Sequence, residues 1–289
     1  VTGPFTQGFV DEWHHTRMGE YTYACSDFKF KKGLVSATKT SGHTLQIADG
    51  LWLDKKFKAA MMKSIAQSEL DRKRFVYSDI GFILLQQVVE AVTGKTLDAY
   101  LVSEFYRPMG LEHTLFQPLN RYKKADIMPT AANDYLRRQD LCGYVHDEAA
   151  AFMGGVSGNA GLFSTAQELG KIYQMILNEG ELDGKRYLRP ETCRIFTTEK
   201  SAVSHRGLGY DKPNLKDPKA NACASSAPAS VYGHTGFTGT CAWVDPENDL
   251  VYIFLSNRLC PDAWNGKLNS MKIRQAIQEV IYQSLYTPE

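Results

Sequence analysis

The chain has no run of apolar residues approaching the ~20 needed to cross a bilayer as a helix. It opens on Val1-Thr2-Gly3-Pro4, with no initiator methionine, no basic n-region and no apolar h-region. No secretory signal is therefore legible, and the chain is expected to be processed or part of something longer. An excess of one charge sign is also missing. The 33 Lys and Arg against 32 Asp and Glu leave a net charge of +1, which gives no electrostatic reason to expect nucleic acid or an acidic membrane surface as partner. The short basic clusters Lys29-Phe30-Lys31-Lys32 and Arg72-Lys73-Arg74 read as solvated faces. The six cysteines (Cys25, Cys142, Cys193, Cys223, Cys241, Cys260) lie far apart, without a C-x-x-C pair or metal-ligand spacing, and read as scattered core thiols. Adjacent His14 and His15 diverge by about 100 degrees on a helix and face opposite sides on a strand, so neither arrangement chelates well. No metal and no cofactor is expected.

What is present is an ordinary globular composition, 43% apolar and 22% charged over 289 residues, enough for one large core or two small ones. Helical and strand signals alternate without a repeat. Ile80, Leu84, Leu85, Val88 and Val92 recur at helical spacing, and Gly94 supplies a stop. Thr165 can cap a helix and Glu168 complete a capping box, with Leu169, Ile172, Tyr173, Ile176 and Leu177 as its apolar stripe before Gly180. Pro190 suits the first turn of a short helix. Ile273, Ile277, Ile281 and Leu285 define a closing helix that Asn269 or Ser270 could cap. Residues 240–244 and 250–256 read as antiparallel strands joined by Asp245-Pro246-Glu247-Asn248-Asp249. The run Val251 to Leu255, apolar on both faces, predicts a central strand covered by that closing helix. Residues 211–230, rich in Pro, Ala, Ser and Lys, predict an exposed loop. Residues 1–54 have neither clean period.

Chemistry concentrates at two places. In Tyr77-Ser78-Asp79, a tyrosine ahead of a helix feels the positive end of the dipole, which favours its phenolate and makes it a usable base. The alternative is that Asp79 caps the helix while Tyr77 packs. In "GHTGFTGT" (233–240), His234 and Thr235 offer an imidazole and a hydroxyl at a strand edge, among glycines that let the backbone run close to a ligand. A lone histidine is also compatible with a satisfied loop residue. His146-Asp147-Glu148 reads as loop hydrogen bonding. The early aromatics (Phe5, Phe9, Trp13, Tyr21, Tyr23, Phe28, Phe30, Trp52) suit core and cover, with a substrate rim as the alternative.

Taken together, the two triplets resemble the second and third motifs of the serine β-lactamase and penicillin-binding protein superfamily. "RFVYSDIGFILLQQVVEAVTGKTLDAYLVSEFYRPMGLEHT" and "VHDEAAAFMGGVSGNAGLFSTAQEL" are similar to the class C-like esterase branch, so the likeness runs from about residue 70 to the C-terminus. It looks closest to lactamase-like domains that follow a family 3 glycosidase on one chain in some bacteria. The resemblance implies an α/β (α+β) fold, a mainly antiparallel sheet covered by helices, of β-lactamase/transpeptidase type, as a single domain over 1–289 with 1–69 poorly matched. It implies an acyl hydrolase of esterase, D-alanyl peptidase or β-lactamase type acting on a small-molecule or cell-wall-derived substrate in the periplasm or outside the cell.

Carried over residue by residue, the likeness makes Tyr77 the base and Asp79 an orienter where the family has Asn. It makes His234 and Thr235 the carboxylate side of the substrate wall, followed by Gly236, and the N–H of Phe237 half of the oxyanion hole. Because histidine is often neutral at pH 7, the carboxylate grip is expected to be weak and pH-sensitive. Asp79 cannot donate an amide hydrogen bond, which counts against β-lactam recognition. The family nucleophile is the Ser of S-x-x-K at the start of an apolar helix. Ser36-Ala37-Thr38-Lys39 fits the letters, but a polar, Gly-broken stretch follows it about 40 residues before Tyr77. The nucleophile, with the first strands of the sheet, is therefore expected upstream of Val1, with Val1-Thr2-Gly3 as the tail of the segment that follows it. The alternative is a noncatalytic lactamase-like module that binds a ligand or supports a partner.

Overall fold

The computed structural model describes residues 15–18, 21–24, 30–68, 77–263 and 265–286. Val1–Gly3, Phe5, Phe9, Trp13, His14, Cys25, Phe28, Lys29 and Arg72–Arg74 lie outside the described residues. The chain forms two compact units, the first made of Val1–Leu101, Leu115–Phe163 and Cys260–Asp262, the second of Val102–Thr114, Ser164–Leu259 and Ala263–Glu289.

In the first unit, β1 (His15–Met18) and β2 (Tyr21–Ala24) make an antiparallel pair. A three-stranded antiparallel sheet has the order β3 (Val35–Ser36), β5 (Leu51–Asp54), β4 (His43–Ala48). Helices α1 (Phe57–Ala66), α2 (Ile80–Thr93) and α3 (Leu97–Leu101) follow. The pairs β6 (Leu115–Phe116) with β9 (Leu162–Phe163), and β7 (Pro129–Asp134) with β8 (Gln139–Cys142), frame α4 (Glu148–Phe152). Ile47, Leu53, Phe57, Met61, Ile83, Leu136 and Phe152 form the core.

The periodicity that predicts α2 is correct, and Gly94 ends it in the left-handed region at φ 68°. Its capping differs from expectation. The Ser78 hydroxyl accepts from the Ile80 N–H at 3.2 Å, whereas Asp79 is already helical (φ −72°, ψ −20°) and makes no side-chain cap bond. A carboxylate caps only from extended backbone, so the cap falls to the serine. The helix also turns a different face inward: Ile83 and Gln86 are buried, while Leu84, Leu85, Val88 and Val92 are exposed. Gln86 belongs inside because it donates to the Val156 carbonyl and accepts from the Gly158 N–H. Asp147 caps α4 at the Ala150 N–H and receives the Asn159 amide, as the hydrogen-bonding reading of 146–148 requires.

The second unit comprises α5 (Ala166–Leu177), the pair β10 (Glu181–Leu182) and β11 (Lys185–Arg186), α6 (Pro190–Thr198), the sheet β12 (Tyr232–Thr235), β13 (Cys241–Asp245), β14 (Leu250–Phe254), and α7 (Lys267–Ser270) and α8 (Ile273–Tyr286). Thr165 caps α5 through the Glu168 N–H, but Glu168 does not return the bond. Its nearly buried carboxylate instead accepts from the backbone N–H groups of Glu112 and His113 and from the Thr114 hydroxyl, pinning the 112–114 turn to the helix.

Two expectations fail here and a third holds only in part. Strand β14 is at one end of the sheet, and wholly buried β13 is the middle strand. Asn269 and Ser270 lie inside α7 rather than capping α8, which buries Gln278 and Tyr282 while Ile277 and Leu285 are exposed. Segment 211–230 is a loop as expected but only partly exposed: 215–220, 225, 226 and 229 face solvent, whereas Asp211, Lys212, Cys223, Ala224 and Ala227 are buried. Small Cys and Ala side chains let it pack under Trp243, Tyr252 and Tyr282, and the Ala224 N–H is satisfied by the Gln278 amide. Those aromatics also show that α8 covers the sheet as predicted. Cys193, Cys223 and Cys241 are buried free thiols, and Cys142 and Cys260 are half-buried.

Candidate active site

Tyr77 and Asp79 belong to the first unit and His234 to Phe237 to the second. Tyr77 is 53% exposed and directly precedes α2, so its ring does not serve as core packing.

The "GHTGFTGT" segment forms β12 and the turn after it. Gly233 is required by close pairing, since a Cβ there would lie 2.1 Å from the Ala242 carbonyl oxygen and 2.7 Å from the Trp243 ring. Gly239, at φ 115°, would meet the Ser256 hydroxyl at 2.7 Å. These glycines serve the protein's own packing. His234 stands opposite Ala242 and Thr235 opposite Cys241, whose thiol burial pushes up to about 11. Cys241 is thereby unsuited to act as a thiolate nucleophile.

Beyond Thr235 the chain turns sharply, with the Gly236 N–H donating to the Thr240 carbonyl and the Gly239 N–H to the Gly236 carbonyl. The remaining carbonyls in the turn are also engaged. Arg258 donates Nε–H to Phe237 at 2.7 Å and its backbone N–H to Thr238, Ser256 donates to Gly239, and Arg274 donates to Thr240 at 2.9 Å. Drawing the carbonyl dipoles into these bonds suits the turn to an anion. The Arg258 guanidinium also lies 4.3 Å from the centroid of the Phe237 ring, which is 63% exposed.

His234 has both ring nitrogens engaged. Nδ1 lies 2.7 Å from the Thr235 carbonyl oxygen and Nε2 lies 2.9 Å from Arg206 Nη1. A carbonyl only accepts and a guanidinium only donates, so this geometry assigns the proton to Nδ1 and the lone pair to Nε2. Arg206, His205 and Asp211 were not singled out by sequence reasoning. Their signal is an indirect one: Asp211 makes an isolated antiparallel bridge to Gly233 across the connection 212–232, which no local pattern announces.

Ser36 ends β3, opposite Trp52, and no helix follows it. Its hydroxyl accepts from the Thr38 N–H at 3.3 Å, while Lys39 Nζ lies 5.6 Å from the centroid of the Trp52 ring. The S-x-x-K geometry of a helical nucleophile is therefore absent at 36–39. A second S-x-x-K, Ser26-Asp27-Phe28-Lys29, also fits the letters and lies outside the described residues. Trp52 lines a cavity of about 220 Å³ with Lys39, Gln117, Asn120 and Tyr144, which gives one early aromatic a place on a rim.

The Beta-lactamase family matches residues 37–269. A protein of Escherichia coli K12 named "Putative D-alanyl-D-alanine carboxypeptidase" is 34% identical over 267 residues, covering 88% of this chain and 61% of that protein. A namesake from Salmonella gallinarum is 32% identical over 227 residues, covering 73% and 52%. The chain thus spans between about half and three fifths of the length of these relatives. Among solved structures, EstCE1, described as a hydrolase with promiscuous acyltransferase activity, superposes with a TM-score of 0.51 at 18% identity, over 76% of this chain and 61% of its own, a likeness of fold. Mixed helices and antiparallel sheets, the motif order and the extent of the match agree: this chain belongs to the Beta-lactamase family.

Proposed function

We propose that the chain carries the base and the oxyanion wall of a serine acyl hydrolase of the esterase, D-alanyl peptidase or β-lactamase type. In this reading a serine Oγ attacks the acyl carbonyl carbon, its proton passes to the Tyr77 phenolate oxygen, and the developing oxyanion is held by the Phe237 N–H. Asp79 orients the base, and His234 and Thr235 line the wall that holds the rest of the substrate. Collapse of the tetrahedral species breaks the bond to the leaving group, which takes the proton back from Tyr77. The observation that carries the reading is the 236–240 turn, whose carbonyls are bonded inward. The nucleophilic serine is supplied by sequence outside the described residues, because Ser36 lies at a strand end. The substrate is a small molecule or a cell-wall-derived peptide, the site of action is the periplasm or beyond, and a glycosidase on the same parent chain is the associated domain.

The same strand-end placement of Ser36 favours a second reading, a noncatalytic lactamase-like module that binds such a ligand. Labelling separates the two. A fluorophosphonate or penicillin probe on the longest natural form of the protein should add its mass to a single serine, and Tyr77→Phe should slow that step by about a hundredfold or more. Absence of any adduct on that form favours the noncatalytic module.

A further inference from the structure

The cavity of about 220 Å³ beside Trp52 takes no part in the acyl chemistry proposed above, and it lies wholly within the first unit. Sites for drug-sized ligands span about 300–1,000 Å³, so this one has room for a single small ring. Its walls come from separate elements: Thr44 and Gln46 from β4, Trp52 from β5, Asn120 from the segment after β6 and Tyr144 from the segment after β8. Tyr144 is held in place by donating its hydroxyl to Asp49 at 3.0 Å. The Thr44 hydroxyl, the Gln46 amide and the Trp52 indole N–H have no hydrogen-bond partner among the described residues. Asn120 is positioned by its Nδ2, which donates to Gln117 Oε1 at 3.0 Å, while Gln117 Nε2 donates to the Gly154 carbonyl. That leaves the Asn120 Oδ1 acceptor uncommitted. Gln117 holds this arrangement from φ 48°, ψ 58°, a left-handed conformation that strains a non-glycine residue and persists only where the surroundings impose it.

The lining decides the ligand class. Among the described residues no carboxylate lines the cavity, so a cation finds no counter-ion. The one cation there, exposed Lys39, has its Nζ 5.6 Å from the centroid of the Trp52 ring, a weak contact that a ring stacking on the indole can displace. A wholly apolar ligand would leave Gln46 and Asn120 unpaired. A flat heteroaromatic base has its polar atoms in one plane, whereas these groups stand on several elements. A pyranose carries hydroxyls around its rim, each both donor and acceptor, and its C–H faces pack on aromatic rings. We propose that this cavity is a saccharide site that takes one neutral pyranose ring, stacked on Trp52 in place of Lys39 and hydrogen-bonded by Thr44, Gln46 and Asn120. The assignment is independent of the acyl-hydrolase reading.

The test is an NMR titration of the chain that follows the Trp52 indole N–H and the Gln46 and Asn120 side-chain amides. The probes are the methyl pyranosides of glucose, galactose, mannose and N-acetylglucosamine, with methyl β-cellobioside, methyl glucuronide and adenosine beside them. At least one neutral pyranoside should move all three signals with a single millimolar Kd. Trp52→Ala should weaken that binding about tenfold or more, and Gln46→Ala about threefold to tenfold. If Trp52→Ala fails to fold, Gln46→Ala and Lys39→Ala decide, since Lys39→Ala should keep or tighten the binding of a neutral ring. Cellobioside binding at least as tightly as the methyl glucoside assigns the site to the end of a glycan chain, and its exclusion assigns the site to a free sugar. Silence of the three signals to every pyranoside overturns the proposal. A glucuronide tenfold tighter than the glucoside, with the gain lost in Lys39→Ala, overturns it in favour of an anion site, and adenosine binding in place of the sugars overturns it in favour of a base.

Discussion

Replacing Glu168 by Gln is the sharpest test of how the second unit holds its shape. The carboxylate accepts from the Glu112 N–H at 2.9 Å, from the His113 N–H at 2.9 Å and from the Thr114 hydroxyl at 2.6 Å, with His113 Nδ1 also 2.9 Å away. An amide of the same size leaves no cavity but has one acceptor oxygen, and turns an NH2 toward groups that themselves donate. Hydrogen bonds to an ionised group contribute about 1.5–3 kcal/mol each, and at least one bond survives, so a net loss of about 2–4 kcal/mol is expected. Burial alone would push this carboxyl up, but the Thr114 and His113 hydrogen bonds outweigh it and hold the pKa below the usual glutamate value. A carboxyl depressed in the folded state stabilises at pH above its unfolded pKa, about 4.3, and that stabilisation is lost as pH falls through the lower folded value. Urea titrations followed by circular dichroism and tryptophan fluorescence should therefore show a lower midpoint at pH 7 with unchanged slope, and a flatter acid dependence below about pH 4.3. Glu168→Gln with stability within about 0.5 kcal/mol of the wild type and the same acid slope would refute the reasoning.

Two further substitutions probe the elements around the motifs. Ser78→Ala should cost about 1 kcal/mol by thermal or urea melting, whereas Asp79→Ala should cost much less, because the serine holds the first N–H of α2; equal losses would contradict that cap. Gly233→Ala should lower stability by about 2 kcal/mol or more, since its methyl overlaps the Ala242 carbonyl, and proteolysis should find β12 first. A neutral Gly233→Ala would contradict the packing of that strand.

Periodicity made α2, α5 and α6 legible because each is set by local spacing and its own end signals, Gly94, Thr165 and Pro190. The two strands after residue 240 were legible for a similar reason, a β-rich run on either side of a turn composition. Which face α2 and α8 bury was not legible. The exposed Leu84, Leu85, Val88 and Val92 are a better apolar stripe than the face actually buried, and Gln86 goes inside because partners some 70 residues away satisfy its amide. The loop reading of 211–230 holds, but which of its residues are buried was not legible, because Ala and Cys side chains within the loop pack under large aromatics. At the site, the triplets around Tyr77 and His234 announced themselves, but Arg206 did not, since it reaches His234 across 28 residues through a bridge at Asp211.

The central claim is that the phenol at 77 and the wall at 234–237 act on one acyl group. It is tested most directly by a crystal structure of the longest natural form of the protein carrying a phosphonate on its nucleophilic serine. The account predicts a phosphonyl oxygen within hydrogen-bond distance of the Phe237 N–H, with the Tyr77 hydroxyl within reach of the serine Oγ. An adduct that touches neither residue would contradict it.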